Sequence, residues 1–298
     1  DLAKYLPADD QLNSTLPDWK GRLWFVSRVH GIVGVLDPRT GRLLGRYRTN
    51  EAIGNSFAMD ETGGVFVVTD RAQYRFDLSK RKKPRVTWRF RYDNIGTKKP
   101  GQFDAGSGTT PTLMGKKYLT IADNARRMQV VVLRRGRHLG KGRRRLVCEH
   151  PVFKKGRGAT ENSIVATGTA MVVENNFGYF PPPDATSNGG TTQPGVARVD
   201  IKKGGRGCRT VWNSQEISPT TIPKLSLATG LLYIYTKPPG TPDKWYVTAV
   251  DFRTGKTVWS RLIGTGLLFN VHYAGITISS AGVLYAGVLG GTIALRDG

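Results

Sequence analysis

Apolar positions in this chain fall in short runs, or alternate with polar ones, and a glycine-containing turn closes most of the runs. A two-residue period of this kind predicts strands. No stretch of ten or more residues repeats apolar positions at helical spacing between caps, and Lys80 to Arg85 carries Pro84, which argues for a turn. One pattern recurs along the whole sequence. A short polar pair opens an apolar stretch, a glycine turn follows, and a β-branched or aromatic strand comes next. Asn13-Ser14-Thr15-Leu16 leads through Gly21 to Leu23-Trp24-Phe25-Val26, and Asn55-Ser56-Phe57-Ala58-Met59 leads through Gly63-Gly64 to Val65-Phe66-Val67-Val68. The later copies open at Thr109, Asn162, Thr221 and Ala274 and lead through Gly115, Gly168, Gly230 and Gly282 to their own strands.

The openings near 13, 55, 109, 162, 221 and 274 stand 42 to 59 residues apart, and each interval holds two further strands, such as Ile32–Leu36 and Leu43–Tyr47. Four strands in a unit of about 50 residues, repeated radially, is the propeller arrangement. The expected fold is therefore all-β: a six-bladed β-propeller with four-stranded antiparallel blades around a central channel, formed as a single domain over residues 1–298. A row of sandwich domains, the rival, would give less regular spacing. The last unit reaches Gly298 after its third strand, Thr292–Leu295, so Asp1–Asp10 is expected to supply its outer strand.

Charge changes the picture. Lys and Arg number 45 against 22 Asp and Glu, a net charge of +23. Such a field draws in polyanions such as nucleic acid, anionic lipid, wall polymer or acidic polysaccharide, or simply keeps a secreted protein soluble. No apolar run approaches the ~20 residues of a transmembrane helix. The sequence opens at Asp1 rather than Met, which fits a mature form left by cleavage or simply an arbitrary starting point within a longer chain. Cys148 and Cys208 are its two cysteines; they suit one disulfide in an oxidising compartment, or two inert thiols. A secreted or extracytoplasmic monomer is the expectation.

Two resemblances follow from particular residues. Val247-Thr248-Ala249-Val250-Asp251-Phe252-Arg253-Thr254-Gly255-Lys256-Thr257-Val258-Trp259 resembles the blade motif of PQQ-type quinoprotein propellers, and Gly34 to Arg42 is a weaker copy without the Trp. In that motif the Asp and the Thr-Gly pair make the turn between third and fourth strands, so it is structural and no bound quinone is expected. Asn55 to Asp60 with Val65 to Asp70, and Glu161 to Val165 with Val172 to Asn176, are similar to inner-strand motifs of the SMP-30/paraoxonase/strictosidine-synthase (lactonase-like) group of six-bladed propellers. That resemblance implies a central calcium held by the asparagines that open the inner strands. The chain departs from it in having one obvious acidic partner, Glu161, and Thr or Ala at three of the openings.

Propeller strands alternate in direction, so the six openings share one end of the channel, here called the top. Asn13, Asn55, Thr109, Asn162 and Thr221 are expected to converge there beside Glu161, with His272 and Tyr273 entering from the last blade. Asn13, Asn55, Glu161 and Asn162 are the candidate calcium ligands, since amide and carboxylate oxygens suit that ion. The other reading is that Asn and Ser cap strand entries by bonding nearby backbone. His272 and Glu161 are the candidate catalytic pair for ester or lactone hydrolysis. Thr109, Thr221, Tyr273, His150 and the aromatic pair Tyr179 and Phe180 are candidate ligand contacts; the last two begin the longest insertion, Tyr179–Pro194, which could hold a small molecule or glycan. Zinc is disfavoured, because Cys148 and Cys208 lack partners at finger spacing.

The basic runs, Lys80–Arg85, Arg134–Arg145 and Lys202–Arg206, fall between third and fourth strands and belong at the bottom rim. No aromatic residues interleave them, so specific nucleic-acid binding is not expected. Two functions remain open from sequence: a calcium-assisted hydrolase or lyase of lactonase-like type, and a non-catalytic binding module attached through its basic face to an anionic polymer or a partner.

Overall fold

The computed structural model describes residues 1–179 and 188–296. Among these there is no α-helix, only three short 3-10 turns and strands. The strands form six sheets, each built from consecutive antiparallel strands. The first holds β1 (Leu12–Pro17), β2 (Leu23–Ser27), β3 (Ile32–Asp37) and β4 (Arg42–Arg48), and the second β5 (Ala58–Met59), β6 (Val65–Val68), β7 (Ala72–Leu78) and β8 (Pro84–Arg91). The third holds β9 (Thr112–Met114), β10 (Tyr118–Ala122), β11 (Gln129–Arg134) and β12 (Leu146–Pro151), and the fourth β13 (Val165–Thr167), β14 (Ala170–Glu174), β15 (Val196–Ile201) and β16 (Cys208–Ser214). The fifth holds β17 (Lys224–Ser226), β18 (Leu231–Thr236), β19 (Lys244–Asp251) and β20 (Thr257–Thr265). The sixth has three strands, β21 (Ile276–Ile278), β22 (Leu284–Val288) and β23 (Gly291–Leu295).

The second strand of each sheet shows why these sequences fold so. Successive side chains point to opposite faces, and in the first five sheets both faces are covered. Val65 and Val67 pack with Trp24, Val26, Val33 and Val35 of the first sheet, whereas Phe66 and Val68 pack with Leu119, Ile121 and Val131 of the third. Met171 and Val173 turn back to the third sheet while Val172 joins Leu232 and Ile234 of the fifth. Leu284 and Ala286 pack on Tyr235, Trp245 and Val247. Full burial of each Val, Leu or Phe contributes about 1.5–3 kcal/mol, so each sheet is held chiefly by its neighbours rather than by its own hydrogen bonds.

The residues expected to close the sixth sheet do something else. Ala3–Tyr5 form a 3-10 turn, and Leu2, Tyr5 and Leu6 cover Phe25, Ile32 and Leu36 on the outer face of the first sheet. Tyr5 Oη donates to Gly41 O at 2.8 Å, and the Asp10 carboxylate accepts from Ser27 Oγ and the Val29 amide, both at 2.7 Å. The apolar residues at 2, 5 and 6 are spaced for one face of a turn, not for a strand, and Pro7 lacks the amide that a strand pairing would use. In the sixth sheet the outward face of β22 leaves Tyr285 40% exposed.

Turn chemistry follows the sequence. Asp251 Oδ1 accepts from the Thr254 amide at 2.7 Å and Thr254 Oγ1 at 2.9 Å, and Gly255 follows at φ 74°. In the first sheet Asp37 Oδ1 accepts from the Arg39 amide at 3.0 Å, and Gly41 follows at φ 66°. Cys148 and Cys208 are joined as a disulfide across a Cα–Cα distance of 5.9 Å, tying β12 to β16.

Candidate functional site

The polar residues that open the inner strands meet at one end of the molecule and lace the sheets together. Asn13 Nδ2 donates to Ile53 O at 3.0 Å and Asn55 O at 2.7 Å, and Ser14 and Ser56 share a hydroxyl bond of 2.7 Å. Asn55 Nδ2 reaches Ser107 O at 2.8 Å, Thr112 Oγ1 reaches Ile164 O at 2.8 Å, and Asn176 Nδ2 reaches Pro219 O at 2.8 Å. The bonds from Asn13, Ser14, Asn55 and Thr112 join one opening segment to the next, and Asn176, in the loop after β14, reaches the segment that opens the fifth sheet. The asparagine amides therefore satisfy the backbone carbonyls of neighbouring loops, as buried backbone requires.

Two further contacts cross this end. Tyr179 Oη donates to Asn270 Oδ1 at 3.0 Å and lies 3.2 Å from His272 Nδ1, while Tyr273 Oη donates to Gly101 O at 3.3 Å. His272 and Tyr273 have φ of 38° and 67°, a left-handed backbone that costs a non-glycine residue of the order of 1–3 kcal/mol. Asn270 Oδ1 holds that turn by accepting the His272 amide at 2.9 Å. The strained pair delivers the Tyr273 ring against Tyr179 and Phe103, with centroids 5.4 and 5.2 Å away.

Between these loops lies a cavity of about 300 Å³ lined by Arg28, Asn55, Phe103, Asp104, Glu161 and Tyr273. Arg28 Nη2 donates to both carboxylate oxygens of Asp104, at 2.9 and 2.7 Å. Gly108 makes room for the carboxyl: a Cβ there would meet Thr160 O at 1.9 Å and Glu161 Oε1 at 2.7 Å. Burial, reinforced by the Asp104 charge, pushes Glu161 up to about 8, and the Phe103 amide and Arg28 pull only partly the other way. Glu161 Oε1 is buried and has no hydrogen-bond partner among the described residues. Burial likewise raises the Tyr273 phenol, helped by the negative charge that Glu161 can carry, and raises Tyr179 to about 12.

The fourth sheet carries a second buried carboxyl. Glu174, at the end of β14, accepts from Asn162 Nδ2 at 2.9 Å, and burial pushes it up to about 8. The Asn162 and Glu174 side chains belong to residues each 1% exposed.

The proposed site residues thus divide. Asn55, Glu161 and Tyr273 line the cavity together. Tyr179 and His272 stand beside it, with His272 exposed and outside the lining. Asn13 is spent on the adjoining loop, Asn162 on Glu174, and Thr109 Oγ1 accepts the Ala122 amide at 3.0 Å. Thr221 is wholly buried. His150 is elsewhere: on the outer strand β12, its Nε2 lies 2.8 Å from Thr210 Oγ1 on β16. Phe180 lies outside the described residues. Of the candidate calcium ligands, Asn55 and Glu161 share the cavity, while Asn13 and Asn162 donate their side-chain amide nitrogens to other partners, and among the described residues no three His, Cys, Asp or Glu side chains are grouped to hold an ion. Sequence reasoning missed Arg28, Phe103 and Glu174. Glu174 did leave a signal, a carboxylate closing the apolar run Ala170-Met171-Val172-Val173.

No family model matches this sequence. An uncharacterized protein of Archaeoglobus fulgidus is 31% identical over 295 residues, covering 89% of this chain and 57% of that protein. The chain therefore spans little more than half the length of that relative. Among solved structures, BamB of Moraxella catarrhalis superposes with a TM-score of 0.54 at 14% identity, over 97% of this chain and 86% of that one. A 6-phosphogluconolactonase candidate of Bacteroides fragilis gives 0.58 at 14%, over 92% and 76%. The dihydro-heme d1 dehydrogenase NirN gives 0.58 at 11%, over 93% and 53%. These are propellers, and at such identity the likeness establishes the fold alone: this chain has the β-propeller arrangement of successive sheets.

Proposed function

We propose that the cavity at the top is an acid–base site and that the chain is a hydrolase of small lactones or esters, with Glu161 as the proton-transfer group. One observation carries this reading: a carboxyl raised to about 8, with an unbonded oxygen, in a cavity that also presents a guanidinium. Proton transfer is most effective when the group titrates near the working pH. Ionised Glu161 takes a proton from a water molecule as the water oxygen attacks the substrate carbonyl. Arg28 supplies positive charge where the carbonyl oxygen becomes negative. Collapse breaks the acyl–oxygen bond, Glu161 returns its proton to the departing alkoxide, and a hydroxy acid results. Phe103 and Tyr273 form the apolar wall that keeps the carboxyl poorly solvated. The lactonase-like resemblance and the likeness to a 6-phosphogluconolactonase candidate support this class of reaction.

A panel of γ- and δ-lactones and aryl esters, assayed with and without calcium, tests the proposal. Wild-type protein should hydrolyse at least one member, and Glu161→Gln should lower that rate roughly 10²–10⁴-fold. Equal rates for the two proteins across the panel would defeat it.

A further inference from the structure

The opposite end of the third and fourth sheets carries a second concavity, independent of the top cavity. Two adjoining clefts of about 420 and 840 Å³ share Lys117 and Tyr118. Lys116, Lys117, Arg143, Lys202, Lys203 and Arg209 are exposed on its lining. The acidic residue there, Asp200, is already held by Arg198, whose Nε and Nη2 donate to its two oxygens at 2.9 Å each.

The walls are built rather than merely charged. Arg134 Nη2 donates to Gly205 O at 3.0 Å and its Nη1 to Arg144 O at 2.7 Å, so one side chain binds the β15–β16 turn to the β11–β12 loop. Gly205, at φ 68°, seats that turn against the ring below: a Cβ there would meet Tyr118 Oη at 2.7 Å and Arg134 Nη2 at 3.0 Å. The Cys148–Cys208 disulfide fastens the outer strands of these two sheets beside the cleft.

We infer that this cleft binds an anionic polysaccharide. Six exposed cations across two blades fit a chain of repeated anionic groups better than one small anion. A half-buried Tyr118 offers a surface on which a sugar ring can lie, whereas single-stranded nucleic acid is gripped by several stacked bases and needs a series of aromatic rings. Disulfides are commonest in oxidising compartments such as the extracellular space, where acidic glycans are found.

Heparin serves as the sulfated probe, polygalacturonate as the uronate probe, and a DNA oligonucleotide of matched charge as the competitor class. Binding of at least one glycan should weaken steadily with salt. The triple change Lys117→Ala, Lys202→Ala, Lys203→Ala should lower affinity roughly ten-fold or more and reduce the salt slope by about one per contacting lysine. Removing the same charge from the exposed Lys80, Arg81 and Arg85 by alanine should cost less than about two-fold, and arginine at the three lysine positions should restore binding. Melting temperatures of both triples should match the parent, since all six side chains are exposed. Equal losses from the two triples, binding indifferent to salt, absence of glycan binding, or tighter binding of DNA than of either glycan would each overturn the inference.

Discussion

Asn162 donates its side-chain amide to Glu174 at 2.9 Å, and both residues are shut off from solvent. Asn162 stands before the inner strand of the fourth sheet and Glu174 ends the strand beside it, so the bond links the polar mouth to the apolar layer below. A carboxyl buried this deeply avoids its charge until the solution is alkaline, and the opposing pull of the Ser218 hydroxyl and the Asn162 amide does not reverse that.

Stability should therefore fall as pH rises. Below the ordinary glutamate value, Glu174 is protonated in folded and unfolded chains alike and contributes no pH dependence. Between about 4.5 and 8 the unfolded chain ionises it while the folded chain keeps the proton, so unfolding is increasingly favoured. Above about 8 both forms are ionised and the loss is complete. Glu161 titrates near the same value and acts in the same direction. Glu174→Gln should raise the melting temperature at pH 8, leave it nearly unchanged at pH 4.5, and flatten the curve between. A Gln variant less stable than the parent at pH 8 would refute the buried neutral carboxyl.

Catalysis should show the same ionisation from the opposite side. If ionised Glu161 is the base, kcat/KM for a lactone substrate should rise through an apparent pKa near 8 and then level off. Arg28→Met should move that value upward, because Arg28 favours the charged carboxylate, and should lower the plateau as well. A rate independent of pH from 6 to 9 would remove Glu161 from the proton transfer.

The fold was largely legible because its determinants are local. Alternation along β2, β6 and β14 sets which side chains face each neighbouring sheet, and Asp37, Gly41, Asp251 and Gly255 write the turns in residues only a few places apart. Asn55 and Glu161 could be placed at a common mouth for the same reason, as residues that open inner strands. Arg28 and Asp104 could not be paired, since they are 76 positions apart on irregular loops and either could have faced solvent. The asparagines have a use that the lactonase-like resemblance does not imply: Asn13 and Asn55 donate their side-chain amides to backbone carbonyls of the adjoining loops. The N-terminal segment was read as a strand by elimination, whereas Leu2, Tyr5 and Leu6 had an apolar face to cover on the first sheet.

The disulfide should matter to the whole domain rather than to its own sheets. Cys148 and Cys208 close a loop with a sequence separation of 60. Restricting the unfolded chain over that length is worth about 4 kcal/mol in the loop-entropy description. The Cys148→Ser, Cys208→Ser double variant should lose an amount of that order in urea unfolding. A loss below about 1 kcal/mol would mean that contacts between β12 and β16 hold the two sheets without it.

Two matched glycines separate backbone strain from packing. Gly41 and Gly255 occupy equivalent turns, at φ 66° and 74°, so alanine at either must adopt a left-handed backbone, which costs about 1–2 kcal/mol. At Gly41 an added methyl group would meet open space. At Gly255 it would lie 2.5 Å from Trp212 Cδ2, in a ring whose Nε1 donates to Phe252 O at 2.9 Å. That ring is fixed by its hydrogen bond and by Leu232 and Val250 of the fifth sheet, so it cannot withdraw without breaking the joint between two blades. Overpacking of this kind adds about 1–3 kcal/mol. Gly41→Ala should therefore cost about 1–2 kcal/mol in urea unfolding and Gly255→Ala about 2–5 kcal/mol, with the Trp212 fluorescence altered only in the second variant. Equal losses at the two positions would show that backbone strain alone governs these turns and that Trp212 yields freely.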